Sequence, residues 1–238
     1  MLVISPSVAQ ELATFVLKCA LEAIARSNKF TIALSGGSLP KFLVALTDLN
    51  LPWDKFHVFY ADERCVPLDH SDSNHRGAEE HFLSKVPIPK SQIYTINPNL
   101  VSNPCEAAND YENVLFKVLE RDENGEYSFD LVLLGLGPDG HTCSLFPGHP
   151  LLKEDKKYVS FLIDSPKPPP ERITLTYRAL RAARNLAFVA TGASKAAIIR
   201  EIIDEEVDYP STRVCGLKEV SWFLDLEAAA QLSRTFHR

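Results

Sequence analysis

Short apolar runs alternate along the chain with longer segments whose apolar residues recur at helical spacing. The runs typical of β-strands are FTIALS (30–35), FHVFYAD (56–62), IYTI (93–96), FDLVLLGLG (129–137), RITLTY (172–177), LAFVAT (186–191) and VSWFL (220–224). The helical segments span residues 7–26, 40–46, 74–85, 104–121, 177–184 and 194–204. This alternation predicts crossover units and an α/β fold with a mostly parallel sheet between helices on both faces.

The first helical segment shows the pattern most clearly. Residues 7–26 carry an apolar face formed by Val8, Leu12, Phe15, Val16, Cys19, Ala23 and Ile24. Ser7 and Gln10 have the spacing of a capping box, which predicts that the Ser7 side chain caps the helix.

Ligands of parallel sheets collect at the carboxyl ends of the strands. Four polar or glycine-rich segments follow predicted strands, and they are where chemistry is expected: 35–38, 62–64, 135–141 and 192–195. The proline-rich segment 164–172 is predicted to be a stiff connector too short to separate domains. We therefore expect residues 1–238 to form a single domain.

The composition of the chain limits the kinds of partner that it can bind. The 238 residues are 45% hydrophobic and carry a net charge of −6, which disfavours nucleic acid and anionic membranes as partners. Five widely spaced cysteines without a Cys-x-x-Cys pair favour a reducing compartment. The start of the chain resembles no signal peptide, and no apolar run is long enough to span a bilayer. A soluble cytoplasmic protein, either a monomer or a weak dimer, is expected.

The segment DLVLLGLGPDGHTCSLFP contains glycines at the spacing of a dinucleotide fingerprint, Gly135, Gly137 and Gly140. A fingerprint needs its third glycine to open a helix, whereas His141 follows here and Pro147 stops any helix within two turns. The alternative is a glycine-shaped turn that presents Asp139 and His141. Neutral imidazole can accept a proton near pH 7, and Asp139 could fix its tautomer, so His141 is a candidate base or a structural histidine.

A second group of residues is suited to an anion. In LSGGSLPKF, Gly36, Gly37 and Ser38 lie between a strand and a predicted helix start, where backbone amides can bind phosphate; an ordinary turn uses the same residues. Lys195 opens another helix, where its charge is unfavourable unless an anion is near. Together with Arg64 and Arg172 at strand ends, it suggests a phosphorylated small molecule as ligand.

One further cluster could be interpreted as a metal site. It comprises Asp69, His70, Asp72, His75 and His81. The spacing matches no known metal motif, and a solvated loop and helix face explain it equally simply. We therefore expect no metal.

These motifs, in this order, resemble the glucosamine-6-phosphate isomerase/6-phosphogluconolactonase family. The resemblance extends from LSGGS through ADERCVP, SQIYTINP, GLGPDGHTCSLFP, DSPKPPPERITLT and FVATGASK to VSWFLD, which is nearly the whole chain. It implies a Rossmann-like three-layer sandwich that hydrolyses 6-phospho-D-glucono-1,5-lactone, in the second step of the oxidative pentose phosphate pathway.

The resemblance also implies roles for individual residues. His141 would activate water with support from Asp139; Gly36, Gly37 and Ser38 would line the sugar-phosphate pocket. The phosphate would be held by Arg64, Arg172 and Lys195, while Asp62 would either contact substrate or cap its strand. No cofactor or metal is required for this chemistry.

Two alternatives remain at this point. The isomerase branch of the family deaminates glucosamine 6-phosphate and has the pattern Asp-Gly-His-x-x-Phe-Asn-Glu-Pro, whose glutamate aligns with Phe146 here. Moving protons between carbons and opening a ring needs more acid–base groups than lactone hydrolysis, so the lost carboxylate favours the lactonase. A non-catalytic sugar-phosphate sensor would keep the cations but would not need His141.

Overall fold

A six-stranded, entirely parallel sheet forms the centre of the computed structural model, which describes residues 1–233. Along the chain the strands are β1 (Leu2–Ile4), β2 (Phe30–Leu34), β3 (Phe56–Tyr60), β4 (Asp62–Arg64), β5 (Glu120–Arg121), β6 (Tyr127–Ser128), β7 (Leu131–Leu134), β8 (Val159–Leu162), β9 (Arg172–Leu175), β10 (Asn185–Ala190) and β11 (Ser221–Leu224). The large sheet has the order β1-β11-β10-β7-β2-β3. The strands β4, β9 and β8 form a separate antiparallel sheet, and β5 pairs with β6.

Helices cover both faces of the large sheet. They are α1 (Val8–Ser27), α2 (Leu39–Phe42), α3 (Asn74–His81), α4 (Pro104–Val118), α5 (Tyr177–Ala182), α6 (Ala196–Ile203) and α7 (Pro210–Leu217). Buried residues of α1, α2 and α3 belong to one apolar core, and those of α4, α5, α6 and α7 to the other. The predicted α/β sandwich with helices on both faces of a mostly parallel sheet is confirmed.

Strand β7 shows why the sheet is buried on both sides. Its four residues are all inaccessible; Leu131 and Leu133 point into one core, whereas Val132 and Leu134 point into the other. Because side chains alternate across a strand, an unbroken apolar run is what a doubly covered parallel strand requires.

The direction of strand addition reverses between β2 and β7. From β2 the chain adds β3 on one side, and it later adds β7 on the other side. In such sheets the connections leave the carboxyl ends of the two strands at the switch point in opposite directions, which opens a crevice between them. The loops that follow β2 and β7 are the two glycine-rich segments, so the topology itself brings them together.

Several local predictions need correction. Ser7 precedes α1, but its side chain accepts no hydrogen bond from the helix; its carbonyl oxygen instead accepts from the Gln10 and Glu11 amides at 3.1 and 3.2 Å. The Ser38 side chain likewise makes no capping hydrogen bond, and α2 has only four residues before a 3₁₀ segment follows. The dipole of a helix this short adds little to the binding of an anion at the preceding glycine turn.

The predicted strand IYTI does not form. It meets the edge of the sheet at a single bridge between Val58 and Ile93, and the Tyr94 ring then stacks on Phe59 at 4.4 Å. The segment RITLTY forms β9, which lies in the antiparallel sheet instead of the large one. The strands β1, β4, β5, β6 and β8 and the helix α7 were not predicted, and most of them are too short for a clear period.

No helix within residues 1–233 is both long enough and apolar enough to cross a membrane. Each of the five cysteines is free, and Cys19, Cys65 and Cys143 are buried.

Candidate active site

The two glycine-rich loops at the switch point line one cleft of about 240 Å³. Eight of the nine residues predicted to form the site lie in its wall: Gly36, Gly37, Ser38, Asp62, Arg64, His141, Arg172 and Lys195. The ninth, Asp139, lies behind His141 and contacts it. The structure therefore brings the predicted residues together, although they are spread over more than 150 positions of the chain.

The loop after β7 is shaped to hold the imidazole of His141. The Gly137 amide donates to the His141 carbonyl oxygen at 2.8 Å, and Gly140 adopts a φ of +74° that favours glycine. A Cβ atom on Gly137 would lie 1.9 Å from His141 Nδ1, so the ring can occupy its position only above a glycine. No helix begins directly after Gly140, so the segment lacks the helix that a dinucleotide fingerprint requires.

His141 and Asp139 form a hydrogen-bonded pair. The distance from His141 Nδ1 to Asp139 Oδ1 is 2.5 Å. Burial acts to raise the pKa of Asp139, but hydrogen bonds from His141 and Lys167 outweigh it and lower the value to about 2. Because an ionised carboxylate can only accept, Nδ1 must carry the proton, and the lone pair of the neutral ring lies on Nε2.

Burial lowers the pKa of His141 below its ordinary value, and Asp139 acts in the opposite direction. The ring also packs against Phe146, with 4.7 Å between the centroids. Within residues 1–233, Nε2 has no hydrogen-bond partner. A neutral imidazole with a free Nε2 beside a cleft is the protonation state that a general base needs.

Arg172 is fixed by the connector that precedes it. Its guanidinium donates to the carbonyl oxygens of Lys167, Pro168 and Pro169 at 2.8, 3.1 and 3.0 Å, and it lies over the Phe146 ring. Only 3% of the residue is exposed. The connector thus has a function beyond joining strands, since its carbonyl groups orient a buried cation toward the cleft.

The guanidinium of Arg64 makes fewer hydrogen bonds than that of Arg172. Its Nη1 donates to the Asp72 carbonyl oxygen at 2.6 Å, but its Nε is buried without a partner in the described part of the chain. Ser35 Oγ, which also belongs to a residue of the cleft wall, is buried and unpartnered in the same way. Unsatisfied buried polar groups are costly, so each of these atoms requires a water molecule or a polar ligand as its partner.

Lys195 approaches the loop after β7. Its Nζ donates to the Leu136 carbonyl oxygen at 2.6 Å. Burial and then the charge of Lys167 lower the pKa of Lys195, as expected where cations gather without enough anions.

Asp62 is held by two neighbours that the sequence analysis did not identify. Ser144 Oγ donates to Asp62 Oδ2 at 2.7 Å, and Asn74 Nδ2 donates to the Asp62 carbonyl oxygen at 2.8 Å. A Cβ atom on Gly36 would lie 1.9 Å from Asn74 Oδ1, so this amide also shapes the first glycine loop.

Glu63 anchors the start of α3 next to Asp62. Its carboxylate accepts the amides of Arg64, Asn74 and His75 at 2.7–2.8 Å and the Ser73 hydroxyl at 3.2 Å. The anchoring role of Glu63 could not be predicted from the sequence, because a carboxylate followed by an arginine is typical of exposed segments.

The histidines of the possible metal cluster do not converge. Within residues 1–233 no three metal-ligating side chains are arranged to hold an ion. His75 instead bonds to the Tyr60 hydroxyl at 2.7 Å, and His70 accepts from the Asp72 amide at 3.1 Å.

Fold and site together define an α/β protein with a cation-lined cleft and a histidine–aspartate pair at the carboxyl edge of a parallel sheet. Residues 5–222 match the pattern of the family described as glucosamine-6-phosphate isomerases/6-phosphogluconolactonase. The chain belongs to this family.

Individual relatives point to one branch of the family. The chain is 43% identical to a probable 6-phosphogluconolactonase 3, chloroplastic, from Oryza sativa subsp. indica, over 94% of this chain and 73% of that protein. It is 45% identical to the 6-phosphogluconolactonase of Rattus norvegicus, over 89% and 84% of the two chains. The solved 6-phosphogluconolactonase from Trypanosoma cruzi superposes with a TM-score of 0.85 at 28% identity, covering 98% and 97%.

Proposed function

We propose that this chain is a 6-phosphogluconolactonase, which hydrolyses 6-phospho-D-glucono-1,5-lactone to 6-phospho-D-gluconate in the oxidative pentose phosphate pathway. The names of its relatives give the substrate class. The observation that carries the mechanism is the neutral His141 with a free Nε2 beside the cations of the cleft.

His141 acts as the base. Its Nε2 accepts a proton from water while the water oxygen bonds to C1 of the lactone, and the carbonyl oxygen becomes an oxyanion. Collapse of this intermediate restores the carbonyl and breaks the bond from C1 to the ring oxygen, which takes the proton back from Nε2. Asp139 keeps the required tautomer and stabilises the imidazolium while it exists.

The phosphate lies at the cations, with Arg64, Arg172 and Lys195 as its ligands. Arginine donates to phosphate oxygens in a fixed fork, and lysine adds a point charge. Gly36, Gly37 and Ser38 lie in the wall of the same cleft, where their backbone amides can donate to the sugar phosphate. Asp62, buried and oriented by Ser144, is close enough to the cleft to accept a sugar hydroxyl.

Phe146 disfavours deamination of glucosamine 6-phosphate. Its ring lies 4.7 Å from the His141 ring and 5.6 Å from the Arg172 guanidinium, with 1% of the residue exposed, at the position where the isomerase pattern has a glutamate. A sensor without catalysis would retain the cations but has no need for the pair of His141 and Asp139.

The first experiment follows acid release from freshly generated 6-phosphogluconolactone above the spontaneous rate. We expect hydrolysis by the wild type and a loss of roughly 10²- to 10⁴-fold in His141→Asn. His81→Ala, a histidine outside the cleft, is the matched control and should retain full activity. Absence of activity in the wild type would reject the function, whereas an active His141→Asn variant would reject only the base.

We further propose that the protein acts in the cytoplasm as a monomer or weak dimer. The five free cysteines support a reducing compartment. A fluorescent fusion reports the compartment, and light scattering during gel filtration reports the mass. Import into an organelle, as the name of the Oryza sativa relative states for that protein, would contradict the first part.

A further inference from the structure

Lys167 lies on the connector between β8 and β9 and turns back onto the catalytic pair. Its Nζ is 2.9 Å from Asp139 Oδ1 and 3.2 Å from His141 Nδ1. Asp139 Oδ1 therefore receives two donors, the ammonium group and the Nδ1–H of the imidazole.

The main chain of Lys167 is fixed independently of its side chain. Ser165 Oγ donates to the Lys167 carbonyl oxygen at 2.8 Å and accepts from the Lys167 amide at 3.2 Å. Arg172 Nη2 donates to the same carbonyl oxygen. Replacing the side chain therefore leaves the support of Arg172 in place, and the half-buried ammonium can be removed without opening the core.

We propose that Lys167 is a positioning residue of this active site: its ammonium holds Asp139 in place and balances the carboxylate charge, so that His141 keeps an unprotonated Nε2. This inference rests on the proposed function of His141 as a base. Lys167 does not belong to the wall of the cleft, which separates its role from that of the phosphate-binding cations.

The charges of Asp139 and Lys167 act on the imidazole of His141 in opposite directions. A carboxylate orients the imidazole, but it also favours imidazolium, which cannot act as a base. A cation on the same carboxylate oxygen opposes that effect while leaving the hydrogen bond to Nδ1 intact. In agreement, Asp139 acts to raise the pKa of His141 and Lys167 acts to lower it.

Charges on the neighbouring elements do not replace Lys167. Asp62 on β4 favours the imidazolium form, as Asp139 does. Arg172 on β9 packs on the Phe146 ring and donates to the connector carbonyl groups, and within the described residues it makes no hydrogen bond to His141 or Asp139. Lys195, which precedes α6, is engaged with the Leu136 carbonyl oxygen. Within residues 1–233, Lys167 is the cation that bonds directly to the pair.

The test is an NMR titration of the imidazole of His141 in the wild type, Lys167→Met and Lys167→Arg, with Lys153→Met as an exposed-lysine control. The His141 signal is identified by its loss in His141→Gln. We expect the midpoint in Lys167→Met to move to higher pH, and those of Lys167→Arg and Lys153→Met to stay near that of the wild type.

The pH profile of kcat/KM for 6-phosphogluconolactone provides the second readout. Its acid limb should move to higher pH in Lys167→Met, with a loss of roughly three- to tenfold below the midpoint and little change at the plateau. An unmoved titration midpoint, or a uniform loss at every pH, would overturn the inference and leave Lys167 as a structural residue. A higher KM with an unmoved midpoint would make it a phosphate ligand instead.

These measurements distinguish failure of the proposed lactonase function from failure of the proposed role of Lys167. The titration reads His141 in the ligand-free protein and does not depend on turnover. A wild type without lactonase activity would reject the proposed function. The shift of the His141 titration midpoint in Lys167→Met would still show whether Lys167 acts on the imidazole.

Discussion

Arg64 and Arg172 stand directly opposite each other across the antiparallel pair of β4 and β9. Like charges at opposed positions of a sheet destabilise it unless something between them is negative. Arg64 Nε is also buried without a partner in the described chain. We therefore expect an anion in the cleft to stabilise the folded protein even in the absence of substrate.

We predict that inorganic phosphate raises the melting temperature of the wild type, by about 3 °C at ten times its Kd, because it binds only the folded state. In Arg64→Met this increase should largely disappear, while the melting temperature without phosphate should be unchanged or slightly higher. Differential scanning fluorimetry at constant ionic strength measures both. Arg76→Met removes an exposed arginine and should respond to phosphate as the wild type does. Equal stabilisation of all three proteins would remove Arg64 from the anion site.

Lys195 should distinguish phosphorylated from unphosphorylated substrate. We expect Lys195→Met to raise KM for 6-phosphogluconolactone by roughly tenfold or more and to change KM for gluconolactone far less, because only the first substrate carries the group it binds. Steady-state kinetics on both lactones provide the comparison, with Lys153→Met as control. Similar effects on the two substrates would mean that Lys195 mainly supports the Leu136 carbonyl group.

Asp139→Asn should affect both the rate and its pH dependence. An amide can donate to Nδ1 and trap the wrong tautomer, so kcat should fall by roughly 10²- to 10⁴-fold. Because Asp139 acts to raise the pKa of His141, the remaining activity should show an acid limb at lower pH, opposite in sign to that of Lys167→Met.

A matched control exists outside the cleft. His149 Nε2 lies 3.0 Å from Asp164 Oδ1, so Asp164→Asn alters another histidine–aspartate pair. Its kcat should remain that of the wild type. A full rate in Asp139→Asn would show that orientation of His141 does not depend on the carboxylate.

Alanine substitutions at Gly137 and Gly135 test whether the loop after β7 fixes the position of His141. Gly137→Ala would place a Cβ atom 1.9 Å from His141 Nδ1, whereas the nearest atom to a Cβ on Gly135 is Ser35 Cβ at 3.9 Å. Displacing a catalytic group by about 1 Å can cost roughly a hundredfold in rate, so we expect that loss in Gly137→Ala and near-normal activity in Gly135→Ala. Lactonase assays and melting temperatures of both variants are needed. If both alanines were tolerated equally, the ring would not depend on the close approach to Gly137.

The class of fold, and most of the residues that line the candidate cleft, could be predicted from the sequence alone. Apolar runs such as 131–134, alternating with helical segments, specify doubly covered parallel strands because burial on both faces requires them. The glycines beside His141 and the cations at strand ends are also local features, so their chemistry could be predicted from residue type and position. Local rules failed for the Ser7 side chain, which does not cap its helix, and for the segment IYTI, which meets the sheet at a single bridge.

Which of these residues come into contact depends on the three-dimensional packing of the chain. The strand order places the loops after β2 and β7 side by side, although about 100 residues separate them. Lys167 reaches Asp139 across 28 positions, and Glu63 anchors α3 through amides 11 and 12 positions away. Such contacts have no period or spacing in the sequence, because they depend on how the strands and the connector are packed in three dimensions, and the free energy of burying the whole core fixes that packing.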